Sequence, residues 1–380
     1  MANILTNLAA DLYKAADTVG RELTGITSSV TINGDGSERV ALNGTIRSHF
    51  TRAVSAVDNT PSMTVPEGAD QTVDSKTLTI NKSRGVQIPW TGEDIKHANN
   101  GSGYETIYGD QIKQAIRTLT DEIEADLAIA AYQGASRAYG TAGTTPFGSN
   151  FNDVAEVRKI LVDNGCPMSD ITMVLNTTAG AQLRNLAQLQ KANEAGNDKL
   201  LRNGVLLDLQ GMMLKESGKI QAPSSGTGSG YLVNAGGGYA IGATAITVDT
   251  GSGTVLAGDV VTFAGDTNKY VVGTALAANV VTLAATGLRK AVADNAAMTV
   301  VGASTRNVIF QKSALELAIR APAMPDGGDS AVDAMTVQDP YSGLVYEVRA
   351  YKGFQKAMFN VSAAWGVKLW KPDFAAVLLG

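Results

Sequence analysis

Apolar residues recur at helical spacing near the start of the chain. Residues 3 to 23 place Ile4, Leu8 and Leu12 four positions apart. This spacing forms one apolar stripe along a helix. An amphipathic helix at a chain end needs a surface to lie on. The stripe therefore predicts a terminal helix that packs either on its own chain or on a neighbouring subunit.

The same periodicity is strongest in residues 104 to 132. At 1.5 Å per residue such a helix would span roughly 43 Å, which is longer than an ordinary globular helix. The length predicts a helical backbone for an elongated body, with the charged positions on a solvated face. The apolar members step by three or four throughout: Tyr108, Ile112, Ile116, Leu119, Ile123, Leu127 and Ala130.

Residues 26 to 93 are polar, with short alternating segments at 78–80 and 86–88 that predict strands. Asn-Gly pairs at 33–34 and 43–44 predict turns. Because the stretch has few large apolar side chains, it cannot make a core of its own. We expect an extended two-stranded arm, which is stable only against another surface.

The middle of the chain predicts mixed helix and strand. Residues 153 to 162 read as a helix, and residues 171 to 175 as a buried strand. Asn176 is placed to cap a following helix that runs to about residue 191. Helical periodicity returns at 313–319, and the tail shows strand patterns at 345–351 and 359–361.

Composition changes sharply near residue 221. Residues 223 to 230 are Pro, Ser, Thr and Gly, which is typical of a linker. Residues 235 to 303 then alternate short apolar segments with turn residues, the pattern of a small β-barrel or sandwich. An all-β block between α+β segments predicts an inserted domain.

Charge and composition exclude several function classes. The 380 residues are 44% hydrophobic and 18% charged, and the net charge of −5 argues against a protein that coats nucleic acid. One cysteine, Cys166, and two histidines, His49 and His97, exclude a disulfide within the chain and a multi-ligand zinc site. Neither a dinucleotide nor a phosphate-binding glycine motif is complete. We therefore predict no catalytic, cofactor or metal site.

No run of eighteen apolar residues is present, and the first residues include Asp11 and Lys14 rather than a signal sequence. We expect a soluble protein made in a cytoplasm. The exposed arm, the amphipathic end and the β insertion favour self-assembly over catalysis.

Several segments, in order along most of the chain, carry a family resemblance. The chain resembles the major capsid proteins of tailed bacteriophages, and more closely the coat proteins akin to that of the short-tailed phage P-twenty-two, which carry an inserted domain. The resemblance rests on Arg21-Glu22-Leu23-Thr24-Gly25, Trp90-Thr91-Gly92-Glu93, Ala135-Ser136-Arg137-Ala138, the segment 140–147, Ala257-Gly258-Asp259-Val260-Val261, Arg320-Ala321-Pro322 and Ala364-Trp365-Gly366-Val367.

The resemblance implies an α+β Hong Kong 97-like capsid fold, with a long spine helix, peripheral and axial domains, and an inserted small β-barrel-like domain. The implied parts are an N-terminal arm (1–43), an extended β loop (44–93), the spine helix and peripheral domain (94–152), the axial domain (153–234 and 304–330), the inserted β domain (235–303) and the C-terminal peripheral strands (331–380).

The resemblance also implies a structural protein of the virion capsid, assembled in the bacterial host cytoplasm around double-stranded DNA, which it contacts weakly. Implied partners are copies of the chain in pentamers and hexamers, a scaffolding protein, a portal protein and, in some relatives, a decoration protein. No membrane is involved. The alternatives are an encapsulin-like compartment that encloses an enzyme, and a hydrolase or surface-binding β protein suggested only by the glycine-rich loops.

Contacts between subunits are expected at three places. The terminal helix would use its apolar stripe, and the extended loop would bend near a glycine. In the inserted domain, residues 266–269 form either the tip of a loop that reaches a neighbour or a plain hairpin turn. The candidate interface residues are Ile4, Leu8, Leu12, Gly68, Asp266 and Lys269.

Overall fold

A computed structural model describes residues 24–50, 56–65, 74–98, 104–186, 208–284, 286–339 and 342–380. The helices in these ranges are α1 (Gly92–Ala98), α2 (Tyr104–Gly134), α3 (Asn152–Asp163) and α4 (Thr177–Arg184). Short 3-10 turns lie at Thr27–Ser29, Lys312–Ala314 and Pro372–Phe374.

The strands fall into one mixed sheet, one large sheet that includes a barrel, and one isolated pair. In chain order they are β1 (Thr31–Val40), β2 (Thr45–Phe50), β3 (Asp74–Thr79), β4 (Lys82–Thr91), β5 (Arg137–Tyr139), β6 (Ile171–Leu175), β7 (Met213–Glu216), β8 (Tyr231–Val233), β9 (Ala245–Asp249), β10 (Val260–Phe263), β11 (Lys269–Ala277), β12 (Val280–Leu283), β13 (Ala297–Val300), β14 (Arg306–Gln311), β15 (Leu315–Pro322), β16 (Ala331–Gln338), β17 (Val345–Gly353), β18 (Lys356–Leu369) and β19 (Ala375–Leu379).

Helix α2 confirms the predicted long helix. Its 31 residues would span about 46 Å at 1.5 Å per residue. The predicted stripe is buried in the main hydrophobic core at every position from Ile112 to Leu127, and Leu119 is only 1% exposed. Thr118 lies off the stripe and is exposed. The side chain of Tyr108, the first residue of the stripe, lies outside the described residues.

Strand β18 organises the mixed sheet because it pairs along both edges. One edge pairs with β4, which runs antiparallel to β18. This pairing extends from Thr91 opposite Lys356 to Lys82 opposite Trp365. The other edge carries β17 and then β15, with β16 beyond β17 and β1 beyond β15. Helix α2 packs on this sheet, and the Trp365 indole nitrogen donates to Asp126 Oδ2 on the helix at 2.9 Å.

A second core forms where α3 and α4 pack on the strands β5, β19, β14, β6 and β7. The predicted helix at 153–162, strand at 171–175 and cap at Asn176 are confirmed. The Asn176 side chain accepts a hydrogen bond from Ala179 N at 2.8 Å, as an N-cap residue does. Helix α4 ends at Arg184 with Asn185 as its C-cap, so the prediction of one unbroken helix to about residue 191 is wrong.

The glycine-rich block forms a closed barrel with its own core. Its strand order is β10-β13-β8-β9-β12-β11, and β11 pairs with β10 to close the ring. The core residues of the barrel form a cluster separate from the other two. The barrel includes β8, which precedes residue 235, and Gly226 N donates to the buried Asp259 at 3.0 Å. The predicted linker is therefore part of the barrel rather than a free tether.

One short antiparallel strand pair joins the barrel to the body, and Val260, Val271 and Ala284 of the barrel pack in the main hydrophobic core. At the start of β11, Lys269 and Tyr270 pair with Ala138 and Arg137 of β5. The other end of β11 turns directly into β12 through Ala278 and Asn279, which both have positive φ (47° and 63°). This is the backbone of a two-residue type I′ hairpin. The turn is exposed and lies at the end of β11 away from the junction.

Two local predictions are wrong. Residues 313–319 are not helical, because Leu315–Pro322 is strand β15, paired on both edges and buried on both faces. Residues 33–36 do not form a turn, because β1 runs through them with a register irregularity between Asp35 and Arg39. The predicted turn at 43–44 is confirmed by the positive φ of Asn43 (68°) between β1 and β2.

We predict that residues 224–303 fold alone as a β domain, because the barrel core is separate and its strand ring is closed. The excised fragment should show a β-type circular dichroism spectrum and a cooperative thermal transition. A shorter fragment, 235–303, lacks β8 and leaves β9 and β13 without their shared neighbour, so it should not melt cooperatively. A random-coil spectrum for the longer fragment would defeat this prediction.

Candidate assembly interface

The described residues include two of the six candidate interface residues, Asp266 and Lys269. Both lie in or beside the turn between β10 and β11, where the barrel meets the body. The other four lie outside the described residues: Ile4, Leu8, Leu12 and Gly68.

Asp266 shapes this turn from within. Its carboxylate accepts hydrogen bonds from Asn268 N (2.9 Å), from Asn268 Nδ2 (2.7 Å) and from the Tyr270 hydroxyl (2.5 Å). Such side-chain to backbone bonds two residues ahead are the usual way in which Asp fixes a turn. Burial, together with the bond to Asp266, raises the pKa of Tyr270 to about 12, so the phenol stays a donor at neutral pH.

Lys269 is also used inside the chain. Its ammonium donates to the backbone oxygen of Gly140, across the β5–β11 junction. Burial lowers the pKa of Lys269. The turn is therefore a packed hairpin turn against the body in this single chain. The expectation that Asp266 and Lys269 contact a neighbouring subunit stays a prediction.

Arg137 connects three parts of the fold at this junction. From β5, its guanidinium donates to Asn268 Oδ1 of the barrel (3.2 Å), and to Ile160 O (3.2 Å) and Asn164 Oδ1 (3.1 Å) at the end of α3. Burial lowers the pKa of Arg137, and the nearby Asp163 opposes that shift. Because the junction has only two paired residues per strand, this side chain supplies much of its polar contact.

The predicted extended loop includes a paired strand segment and an exposed apolar segment. Strands β2 and β3 pair antiparallel, which confirms a two-stranded arm within residues 44–93. Beyond β2, Val57 and Val65 are 89% and 90% exposed, and Met63 is fully exposed. Large apolar side chains held in water are unfavourable, and clusters of them commonly mark contact surfaces.

The base of the loop sits tightly on β18. A Cβ at Gly366 would lie 2.2 Å from Thr79 O and 2.8 Å from Leu78 Cδ2, so only glycine permits this approach. Leu78 and Ile80 are buried in a small core with Trp370. These contacts hold residues 78–80 against β18.

The chain just after residue 23 is fixed to α2 by one buried carboxylate. Glu124 is 0% exposed, and it accepts from Ile26 N (2.8 Å), from Thr27 N (2.8 Å) and from the Thr27 hydroxyl (2.5 Å). Ile26 and Val30 belong to the main core. Glu124 therefore sets where residues 26–27, within the predicted N-terminal arm, meet the body.

Strand β1 continues this anchoring with ion pairs to the mixed sheet. Arg39 pairs with Glu347, which is 1% exposed and also lies 2.9 Å from Arg349 Nη2. Arg320 Nε lies 3.1 Å from the Glu38 carboxylate. The first described strand is thus held on the edge of the sheet by charged contacts as well as by backbone pairing.

Sequence reasoning placed the extended loop but missed the residues that stand out on it. Val57, Met63 and Val65 are isolated apolar residues in a polar stretch. That isolation was the available signal, since an apolar residue without periodic partners cannot join a helix stripe or a strand face. The prediction that the charged positions of the long helix are solvated is wrong for Glu124, because nothing in a helix pattern separates a buried carboxylate from solvated ones. The junction role of Arg137 was also missed.

Of the groups weighed for chemistry, Cys166 is described and buried, whereas the side chains of His49 and His97 lie outside the described residues. Burial raises the pKa of the Cys166 thiol to about 11, so it stays a thiol at neutral pH. Within the described ranges, no group of three or more His, Cys, Asp and Glu side chains could hold a metal ion. In the same ranges, every helix is too short or too polar to cross a bilayer.

Comparison with solved structures identifies the fold of the chain. A chain from the capsid structure of the cyanophage P-SCSP1u matches 94% of this chain and 88% of its own, with TM-score 0.50 and 13% identity. A chain from Mycobacterium phage Che8 matches 96% and 90%, with TM-score 0.47 and 14% identity. One from a virus-like particle of Pyrococcus furiosus matches 97% and 96%, with TM-score 0.42 and 9% identity.

No protein-family model and no curated protein sequence matches the chain. The likeness to the cyanophage capsid chain establishes an α+β fold of the Hong Kong 97 capsid type, with the long helix α2 and an additional closed six-stranded barrel. The fold predicted from the sequence is confirmed at this level.

Proposed function

We propose that the chain is the major structural subunit of an icosahedral capsid of the tailed-phage type, and that the shell encloses double-stranded DNA. The observation that carries this is the capsid fold, which extends over 94% of the chain. Within this proposal the protein belongs to the virion capsid, assembles in the bacterial cytoplasm and has no enzymatic role.

The exposed loop supports assembly. A subunit that stayed alone would leave Val57, Met63 and Val65 in water at a free-energy cost of about 25 cal/mol per Å² of apolar surface. Contact with a second copy removes that cost. The base at Gly366 is packed closely against Thr79 and Leu78.

The proposal includes a closer relation to coat proteins like that of phage P-twenty-two, with the barrel as the inserted domain. It also includes pentamers and hexamers of the chain, a scaffolding protein, a portal protein, a decoration protein in some assemblies, and weak contacts to the enclosed DNA. Copies of itself are the partners that the exposed loop supports most directly. The remaining partners rest on the sequence resemblance.

An encapsulin-like compartment is the alternative with the same fold. The two functions differ in cargo, since a phage shell holds DNA and a compartment holds protein. Particles purified from infected or induced cells should absorb at 260 nm and release nuclease-protected DNA after disruption. Particles that hold protein cargo and no nucleic acid would favour the alternative.

We predict that the full chain forms closed shells or closely related tubes when it is expressed with its scaffold, as seen by electron microscopy and light scattering. The double variant Met63→Asp/Val65→Asp should remain as small oligomers with an unchanged circular dichroism spectrum. The matched control Ser62→Asp/Thr64→Asp adds the same charge to the same exposed segment and should still assemble.

Only monomers or small rings from the unsubstituted chain, under all such conditions, would overturn the capsid proposal. If shells form but both double variants assemble equally well, the capsid proposal stands and the role given to Met63 and Val65 is wrong.

A further inference from the structure

Arg306, the first residue of β14, is a buried cation with incomplete pairing. The residue is 2% exposed. Its Nη1 donates to Ser304 Oγ at 3.0 Å. Its Nε and Nη2 are shielded from solvent, and neither has a hydrogen-bond partner among the described residues. A buried guanidinium with two open donor positions is costly unless an acceptor meets it.

Arg306 lines a cavity of about 250 Å³ between α2 and the segment that leads into the barrel. The α2 wall presents Ala125, Ala128 and Ile129, and Ile220 closes the space from the other side. The lining of the cavity is therefore largely apolar, and it includes two cations, Arg306 and Lys219. For scale, an apolar cavity of roughly 150 Å³ can hold benzene.

The wall opposite α2 can admit a ligand. Residues 221–223 lie outside strand and helix, and Gln221 and Ala222 are exposed. The backbone oxygen of Gln221 accepts from Arg306 N at a long 3.4 Å. A ligand would reach Nε and Nη2 of Arg306 by displacing this segment, since both atoms are shielded from solvent.

The charged groups around the cavity leave it short of negative charge. Lys219 lines the cavity and forms an ion pair with Asp121, with 3.1 Å between Nζ and Oδ2. Asp259 attracts the Arg306 charge, but both of its oxygens already accept backbone N–H groups, from Gly226 and Leu256. Burial lowers the pKa of Arg306, while Asp259 and then Tyr132 oppose the shift.

We propose that this cavity is a binding site for a carboxylate with a short apolar chain. A carboxylate offers two acceptor oxygens in the plane that the Nε and Nη2 donors require, which is the bidentate geometry arginine favours. The apolar chain would lie along Ala125, Ala128 and Ile129. A phosphate needs more donors than this wall supplies, and a neutral amide would place its own donors against the guanidinium.

The ligand has two possible sources with one chemistry: a free short-chain acid, or the side chain of a Glu or Asp on another protein. The site is independent of the capsid proposal, because it needs only a single folded chain.

Equilibrium dialysis of the full chain against ¹⁴C-butyrate, at constant ionic strength, tests the site. We expect saturable binding of one butyrate per subunit, without displacement by an equal concentration of butyramide or inorganic phosphate. Arg306→Met removes the charge with little change in volume, and it should weaken butyrate binding at least tenfold. Arg158→Met, on α3 and away from the cavity, should leave binding unchanged.

Because a core variant can fail to fold, Ile129→Trp provides a second test. Ile129 is 43% exposed at the cavity wall, so a larger side chain there fills the space and leaves Arg306 in place. It should also weaken butyrate binding at least tenfold while the circular dichroism spectrum is unchanged.

Acetyl-Ala-Glu-Ala-amide and its Gln counterpart separate the two sources. Displacement of butyrate by the Glu peptide alone identifies a partner's side chain as the ligand, whereas no displacement by either identifies a free acid. The absence of saturable binding for both butyrate and the Glu peptide would overturn the proposal, as would equal binding by Arg306→Met or by folded Ile129→Trp.

Discussion

Replacing Glu124 by Ala is expected to lower the free energy of unfolding by about 3–5 kcal/mol. The substitution leaves the amides of Ile26 and Thr27 and the Thr27 hydroxyl without their acceptor in a buried site. Each buried donor that is left without an acceptor costs about 1–3 kcal/mol. Removing the carboxylate also removes the cost of burying its charge, which offsets part of that loss. Denaturant unfolding of the unassembled subunit measures the change.

Glu122→Ala is the matched control, two positions away on the same helix. Its side chain is 38% exposed, and its carboxylate lies 3.5 Å from Arg84 Nε, itself 60% exposed. Such pairs contribute less than about 1 kcal/mol. Similar losses from the two variants would show that the contacts of Glu124 do not hold the chain near residue 26.

Leu119→Ala should cost about 2–5 kcal/mol, the range found for buried leucine truncations. Leu119 is 1% exposed and belongs to the core that α2 shares with the mixed sheet. The loss of stability has two parts. One is the transfer free energy of the removed methyl groups, and the other is the cost of the cavity that the rigid helix and sheet cannot fill. Chemical denaturation of the unassembled subunit again gives the value.

Its neighbour Thr118 provides the control for Leu119. Thr118 is exposed, and its hydroxyl donates to Gln114 O at 2.9 Å within the same helix. Thr118→Ala should change the unfolding free energy by less than about 0.5 kcal/mol, because alanine also has the higher helix propensity. Equal effects at positions 118 and 119 would mean that the wrong face of α2 has been assigned to the core.

Where the apolar residues of an element repeat with the same period as its buried positions, the sequence was sufficient to predict that element. Helix α2 buries one continuous stripe, so its period is visible in the sequence. The barrel was predicted as a small β domain, because turn residues closely separate short apolar segments such as those of β9 and β12. Asn176 was identifiable as a cap because its side-chain chemistry acts locally.

Strand β15 shows where the signal fails. All its residues except the last are buried, so both faces carry apolar groups and the alternation of a half-exposed strand is absent. Leu315 and Ile319, four apart, then resemble a helix stripe. Pairing with β1 and β18, both distant in sequence, decides the conformation. No local pattern carries that information.

The interface residues were the least predictable part. The exposure of Met63 and the burial of Glu124 are set by the fold of the whole chain rather than by the local sequence. Asp266 and Lys269 were chosen as charged residues at a turn, and the structure shows both serving contacts within the chain. The composition of the glycine-rich residues 223–230 resembled that of a tether, because backbone hydrogen bonds to the barrel cannot be recognised from composition.

The two-residue turn at Ala278 and Asn279 makes the barrel suited to carry foreign sequence. The turn is exposed, and it lies eight residues along β11 from the Tyr270 pairing, or about 25 Å at the rise of a strand. A peptide spliced there would interrupt none of the pairs that join β11 to β5. Exposed loop tips are the usual positions at which insertions are tolerated. If this turn faces the outside of the proposed shell, each copy would present one peptide and the particle would carry a dense and regular antigen array.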